Sequence, residues 1–305
     1  MTDVAVESFR EKLIGQGLLL ETGVPGLFGK SAVFETTLER VDSFITREGS
    51  SDKPEVVRFP PFVSRANLAR SGYMVSFPQL AGSIHSFAGD SSDHAELLAT
   101  LEAGNEWAAG LPPTELSLTP AACYPVYPTV SSPLPAGGRL FDVMSYCFRH
   151  EPSNDIARMQ AFRMHEFVRL GSPEEARTFR DEWITRYVRM LTDLGLEATV
   201  ELANDPFFGR GGRLLSATQR EQSLKFEVVA PCSPGARPSA LGSCNYHLDH
   251  LANAFGIRLH DGSIAHTACV GLGLERVVLA LFAKHGLKTS AWPGGVSELL
   301  ELNEE

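Results

Sequence analysis

Phe148-Arg-His-Glu151, then Pro-Ser-Asn-Asp-Ile-Ala, then Arg158-Met-Gln-Ala-Phe162-Arg-Met-His-Glu166 is the stretch from which the fold can be read. Two extended runs flank a short polar loop, the pattern of a long hairpin. Side chains alternate across a strand, so Arg149 and Glu151 are expected on one face of the outgoing strand. Arg158, Phe162 and Glu166 are expected together on one face of the return strand. His150 and His165 fall on the opposite faces and read as packing or solvent contacts rather than general bases. A plain sheet surface with two exposed salt bridges would show similar residues, so alternation alone leaves both readings open.

Outward from the hairpin, Glu174 to Leu194 has the spacing of an amphipathic helix, and strands are expected at 197–202 and 224–230. A strand at 263–270 and a helix from Leu274 to His285 follow. On the N-terminal side, Val4, Phe9, Leu13 and Ile14 share a helical face over residues 4–16. A second helix is expected from Ser31 to Arg47, capped by Ser31, with Val33, Leu38, Val41 and Ile45 as its apolar stripe. The strand Glu55-Val-Val-Arg-Phe59 is stopped by Pro60-Pro61. Ser91 to Leu111 reads as helix, and the proline-rich run from Pro120 to Pro135 as loop or extended chain. Helices early and strands later predict an α+β fold with an antiparallel sheet flanked by helices. Residues 1–305 read as one catalytic domain, with 1–50 as an N-terminal helical segment and about 205–222 as a helical insertion.

Composition sets outer limits. The chain has 305 residues, 43% of them hydrophobic and 21% charged, which is ordinary for a globular protein with a sizeable core. The acidic opening Met-Thr-Asp-Val-Ala-Val-Glu-Ser is not a signal peptide. No apolar run approaches the roughly 20 residues of a membrane span, so no membrane association and a cytoplasmic location are expected. The net charge of −10, with no basic run, argues against a tRNA partner. Five cysteines without CxxC spacing suggest free thiols or metal ligands rather than a disulfide frame. Cys147 and Cys244 read as buried thiols, His247 and His250 as surface residues at a helix start, and Trp292 as an anchor for the tail.

The pattern Phe-Arg-x-Glu, loop, Arg-x-x-x-Phe-x-x-x-Glu resembles motif 2 of class II aminoacyl-tRNA synthetases. Gly271-Leu-Gly-Leu-Glu-Arg276 resembles motif 3, and the Ser31–Arg47 helix with strand 55–59 and Pro60 is similar to motif 1, which builds the dimer interface in that family. Gly242-Ser-Cys-Asn-Tyr-His-Leu-Asp249 looks like a seryl-tRNA synthetase segment. Cys123, Glu166 and Cys269 match the zinc ligands of the atypical zinc-dependent seryl synthetases and of their short homologues, the amino acid:[carrier protein] ligases. The segments at 58–65 and Asn204-Asp-Pro-Phe-Phe-Gly209 are similar to the latter group.

The resemblance implies a class II synthetase-like sheet and a homodimer. It implies ATP bound by Arg149, Glu151, Arg158, Met159, Phe162, Lys225, Ala240, Leu241, Gly242, Ser243 and Arg276. Arg149 and Arg276 would act on the phosphates in catalysis. Zn2+ held by Cys123, Glu166 and Cys269 would take the amine of a small amino acid, with Glu166 and Asp205 at the substrate. Mg2+ is also implied, but the family's Glu near position 240 is Ala240 here, and Glu227 sits on a neighbouring strand. Glycine is expected first and alanine second, with the activated acyl group passing to a phosphopantetheinylated carrier protein. Arg210, Arg213 and Arg220 on the 209–222 segment would meet an acidic carrier. The alternatives are a minimal seryl-type tRNA-aminoacylating enzyme and a catalytically silent paralogue acting as a binding or regulatory subunit. The short acidic N-terminal segment speaks against the first, and retention of the three arginines and three metal ligands speaks against the second.

Overall fold

The computed structural model describes residues 7–302. Seven strands form the central sheet: β1 (Glu55–Arg58), β2 (Arg139–Phe148), β3 (Ala161–Gly171), β4 (Thr199–Leu202), β5 (Lys225–Ala230), β6 (Ser239–Tyr246) and β7 (His266–Gly273). Their order across the sheet is β1-β2-β3-β7-β6-β5-β4. Every pair is antiparallel except β1 with β2, which run parallel, so the sheet is mixed rather than purely antiparallel. The exception arises because β1 reaches the sheet through a long excursion, not through a hairpin turn.

Four helices matter for the site: α1 (Ala32–Gly49), α2 (Pro173–Asp193), α3 (Gly209–Glu221) and α4 (Leu274–His285). α2 starts at a capping box in which Ser172 and Glu175 satisfy each other's backbone N–H groups, with Pro173 at the first helical position. α1 is capped by Ser31. Its buried face is Phe34, Leu38, Val41, Phe44 and Ile45. Val33, expected in that stripe, is 45% exposed because it stands one position out of phase with the buried row. The N-terminal helix covers Phe9–Gly15, and Val4 lies outside the described residues.

α1, α2 and α4 cover one face of the sheet and make the main core, where Phe167 stacks on Trp183 at 4.4 Å. Trp292 packs edge-on against Phe282 and donates to the Gly286 carbonyl, so the tail is pinned there. His165 is on this covered face, fully buried between Asp42 at 2.7 Å and Asp142 at 3.3 Å. Opposite lies a second core that includes Val126, Tyr127, Phe141, Val143 and Val168, beneath the proline-rich segment. A small three-stranded sheet of Phe62–Ser64, Pro113–Leu118 and Ser83–His85, with the short helices Arg65–Arg70 and Tyr73–Ser76, stands beside that segment.

Two boundaries move for local reasons. The helix from Ser91 ends at Glu102, followed by Gly104 at φ +69°, and does not reach Leu111. The strand expected at 263–270 starts at His266, because Asp261 caps a turn by accepting from the Ser263 N–H and hydroxyl. Among the described residues, no helix is long and apolar enough to cross a membrane.

Candidate active site

The site occupies the face of the sheet turned away from α2. On β3, Phe162, Met164 and Glu166 point to it, whereas Phe167 on the intervening phase enters the helical core. On β7 the same face carries Cys269, Gly271 and Gly273, while Ala268, Val270 and Leu272 are core. A Cβ on Gly271 would approach Glu166 Cγ to 3.4 Å and Met164 Cε to 2.9 Å, so glycine there keeps the floor open beside the carboxylate. A register shift between Val228 and Val229 bulges β6 at Leu241. The Leu241 side chain is wholly buried in the core, and Met159 is buried there too, which leaves their backbones as the parts able to face a ligand.

Cys123, Glu166 and Cys269 come together although they lie far apart in the chain: one donor atom from each falls within 4.8 Å of the others. Cys269 Sγ is 2.8 Å from Glu166 Oε2, and Ala122 N–H donates to Oε1 at 2.6 Å. All three residues are buried, Glu166 to 1% exposure. The neighbouring Cys123 thiol, then burial and the Glu166 charge, push Cys269 well above the ordinary thiol range. Among the described residues no basic side chain forms an ion pair with Glu166. Two thiols and an uncompensated carboxylate so deeply buried are a donor set suited to a divalent cation, zinc above all, with a coordination position left over.

Beyond the ladder, the hairpin departs from simple alternation. Pairing stops at Phe148 and Ala161, extended by one bond from Arg149 N–H to the Gln160 carbonyl. Arg149, Glu151 and Arg158 are therefore placed by turn geometry, not by strand phase. Arg149 Nε donates to the Pro120 carbonyl at 3.0 Å, and its guanidinium lies 5.5 Å from the Phe162 ring centroid. Arg276 donates to the carbonyls of Ala157 at 2.6 Å and Ala240 at 2.8 Å. Burial holds Arg276 below the usual guanidinium value; Arg149 and Arg158 push it the same way, against Cys232 and Glu151. Arg149 and Arg276 thus influence one another and give a cationic field fit for polyphosphate, whereas Arg158 is largely exposed and pairs with Asp155 at 3.7 Å.

At the other end of the floor, Lys225 pairs across β5 and β6 with Asn245, which in turn pairs with Cys269. Lys225 is thus level with the thiol–carboxylate triad. Its Nζ is held by Asp205 at 2.5 Å and Glu227 at 3.1 Å. Burial tends to raise the Asp205 carboxyl, but Lys225, Gln219 and Arg149 outweigh it and its pKa is lowered. Ser243 stands opposite Glu227, and Gly242 packs against Tyr187 from below.

Sequence reasoning passed over several residues. His247 is no helix-start surface residue: it directly follows β6, half-buried, with Nδ1 3.0 Å from Thr267 Oγ1. Burial lowers its pKa to about 4. Tyr73 meets Tyr124 edge-on at 5.4 Å beside Cys123 and roofs the site. His250, by contrast, is the exposed first residue of the helix His250–Phe255, as expected, and its Nε2 lies 2.9 Å from the Ser71 carbonyl oxygen. Only the run Tyr-His in Asn245-Tyr-His247, read in strand phase with Ser243, could have flagged His247 beforehand.

Residues 115–285 match the family model of the tRNA synthetase class II core domain (G, H, P, S and T). The chain is 43% identical over 291 residues to the amino acid–[acyl-carrier-protein] ligase 2 of Bradyrhizobium diazoefficiens, covering 95% of this chain and 87% of that one. It is 32% identical over 199 residues to the type-2 serine–tRNA ligase of Methanopyrus kandleri, covering 60% of this chain and 37% of the relative. In structure it superposes on the M. kandleri SerRS solved with A. aeolicus tRNASec at a TM-score of 0.83 and 22% identity, spanning all of this chain and 62% of that one. The fold and the similarity converge: the chain belongs to the class II tRNA synthetase core family, among its amino acid–[acyl-carrier-protein] ligases.

Proposed function

We propose that the chain activates a small amino acid, glycine first and alanine second, as the aminoacyl-adenylate, and passes the acyl group to the phosphopantetheine thiol of a carrier protein. The observation that carries this reading is the buried thiol–carboxylate triad on the same sheet face as Phe162, with the Arg149 guanidinium 5.5 Å from that ring's centroid. The ligase similarity supports the carrier.

Zinc held by Cys123, Glu166 and Cys269 would supply a Lewis-acid position for the substrate amine. Lys225, level with Cys269, is held by Asp205 and Glu227, so charged groups already occupy this end of the floor and an amino acid with little or no side chain suits it best. The substrate carboxylate then attacks the α-phosphorus of ATP, forming the acyl–phosphate bond as the bond to pyrophosphate breaks. Arg149 and Arg276 stabilise the charge that builds on the phosphate oxygens, while Phe162 gives the adenine a stacking surface beneath Arg149. Glu151 and Arg158 flank the phosphates, and the backbone of Met159, Ala240, Leu241, Gly242 and Ser243 lines the nucleotide. Ala240 offers no carboxylate for Mg2+; Glu227, opposite Ser243 and paired with Lys225, is an acid on the adjoining strand that would serve instead. Attack of the carrier thiolate on the adenylate carbonyl forms the thioester and expels AMP. A thiol is a better nucleophile than a ribose hydroxyl, so this step rests mainly on positioning.

The test is ATP–pyrophosphate exchange across the amino acids, followed by transfer to a phosphopantetheinylated carrier. Exchange dependent on glycine or alanine is expected. An enzyme that exchanges only with serine, or that charges tRNA instead of a carrier, would overturn the reading.

A further inference from the structure

α3 is joined to the site through one residue. Gln219 Oε1 accepts from the Asp205 N–H at 2.7 Å, and Gln219 Nε2 donates to Asp205 Oδ2 at 2.8 Å. Ser216, one turn earlier on the same helix, donates to the Asp205 carbonyl at 3.4 Å. The second carboxylate oxygen of Asp205 is the one that receives Lys225. The helix therefore holds the backbone N–H, the carbonyl and one carboxylate oxygen of Asp205, and leaves the other oxygen aimed at the floor.

The three residues after Asp205 are fixed from the opposite side. Gln79 Nε2 donates to the Pro206 carbonyl, Phe207 stacks on Phe77 at 5.1 Å, and the Phe208 N–H donates to the Ser76 carbonyl. Phe77 packs on Tyr73, which meets Tyr124 next to Cys123. Asp205 is thus suspended between a surface helix and the roof of the site. An amide suits this post: it gives an acceptor for the N–H and a donor for the carboxylate from one planar group, and at position 219 the glutamine stem reaches Asp205. A carboxylate there would keep the first bond, lose the second, and face Asp205 with like charge.

We infer that Gln219 is a positioning residue for the amino-acid site, fixing the Asp205 carboxylate against Lys225 and making α3 a structural part of substrate recognition. This rests on the activation reading above. The experiment is ATP–pyrophosphate exchange by the full chain and its Gln219→Glu and Gln219→Ala variants, varying glycine and ATP in turn. The KM for glycine should rise about tenfold in Gln219→Glu, about 1.4 kcal/mol, and less in Gln219→Ala, with the KM for ATP unchanged. The melting temperature of Gln219→Ala is measured alongside. Unchanged glycine KM in both variants, a parallel rise for ATP, or collapse of the fold in both would overturn the inference. Wild-type protein without any amino-acid-dependent exchange would instead sink the activation reading itself.

Discussion

At the scale of single residues, the site works by placing few side chains in unfavourable company. Cys123, Glu166 and Cys269 are buried together with hydrogen bonds but, among the described residues, no paired cation, an arrangement whose cost a bound metal would remove. Replacing Cys269 by Ala leaves two ligands, too few to hold zinc firmly. Metal content measured by mass spectrometry should fall, and amino-acid-dependent exchange should drop by about a hundredfold or more, the scale for losing a group that orients substrate in the transition state. Retained exchange in that variant would count against the metal assignment. His247 offers a separate test. Its folded pKa of about 4 lies below the ordinary 6.5, so the unfolded chain binds more protons between those values. Stability contributed by neutral His247 is complete above pH 6.5 and is lost as pH falls through the window towards 4. His247→Asn should flatten this part of the melting temperature versus pH curve relative to wild type.

Elements set the next scale. Strand phase explains Phe162 and Glu166, the β6 bulge explains why Leu241 is core, and turn geometry places Arg149 and Arg158. α3 presents Arg213 and Arg220 to solvent beside Leu214, which is 72% exposed, and Phe208. The side chain of Arg210 lies outside the described residues. An apolar spot framed by guanidiniums suits an acidic helical partner such as a carrier protein. Reversing the charge of Arg213 and Arg220 together should slow transfer to the carrier, raising its KM, and leave pyrophosphate exchange as in wild type. Equal loss in both assays would refute the docking role. Because Gln219 links this helix to Asp205, the pair of arginines and the glutamine separate by assay: the first through carrier KM, the second through glycine KM.

For the whole molecule, the edge strand β1 bears on assembly. It pairs with β2 on one side only, and Val56 is 64% exposed upon it. An open edge strand is a surface on which another chain can pair, and this segment is the one that resembles motif 1. We propose that β1 and α1 meet a second copy of the chain. Wild type should sediment as a dimer and Val56→Lys as a monomer; a monomeric wild type would dismiss the proposal.

The sequence by itself determined the class of fold and most candidate residues. Helix caps, proline stops and period-two runs are local signals, and they located α1, α2, α4 and the long hairpin within a few residues. Motif order supplied Arg149, Phe162, Glu166 and Arg276 as a set. What only the tertiary structure decided were relations between distant segments. Lys225 is expected at the nucleotide by resemblance alone; that it also stands level with Cys269 and holds Asp205 follows only from strand register. The parallel pairing of β1, the inward turn of His247 and the grip of Gln219 on Asp205 were equally invisible. Register and cross-chain hydrogen bonds are fixed when the whole core closes, and no short window of sequence contains both partners.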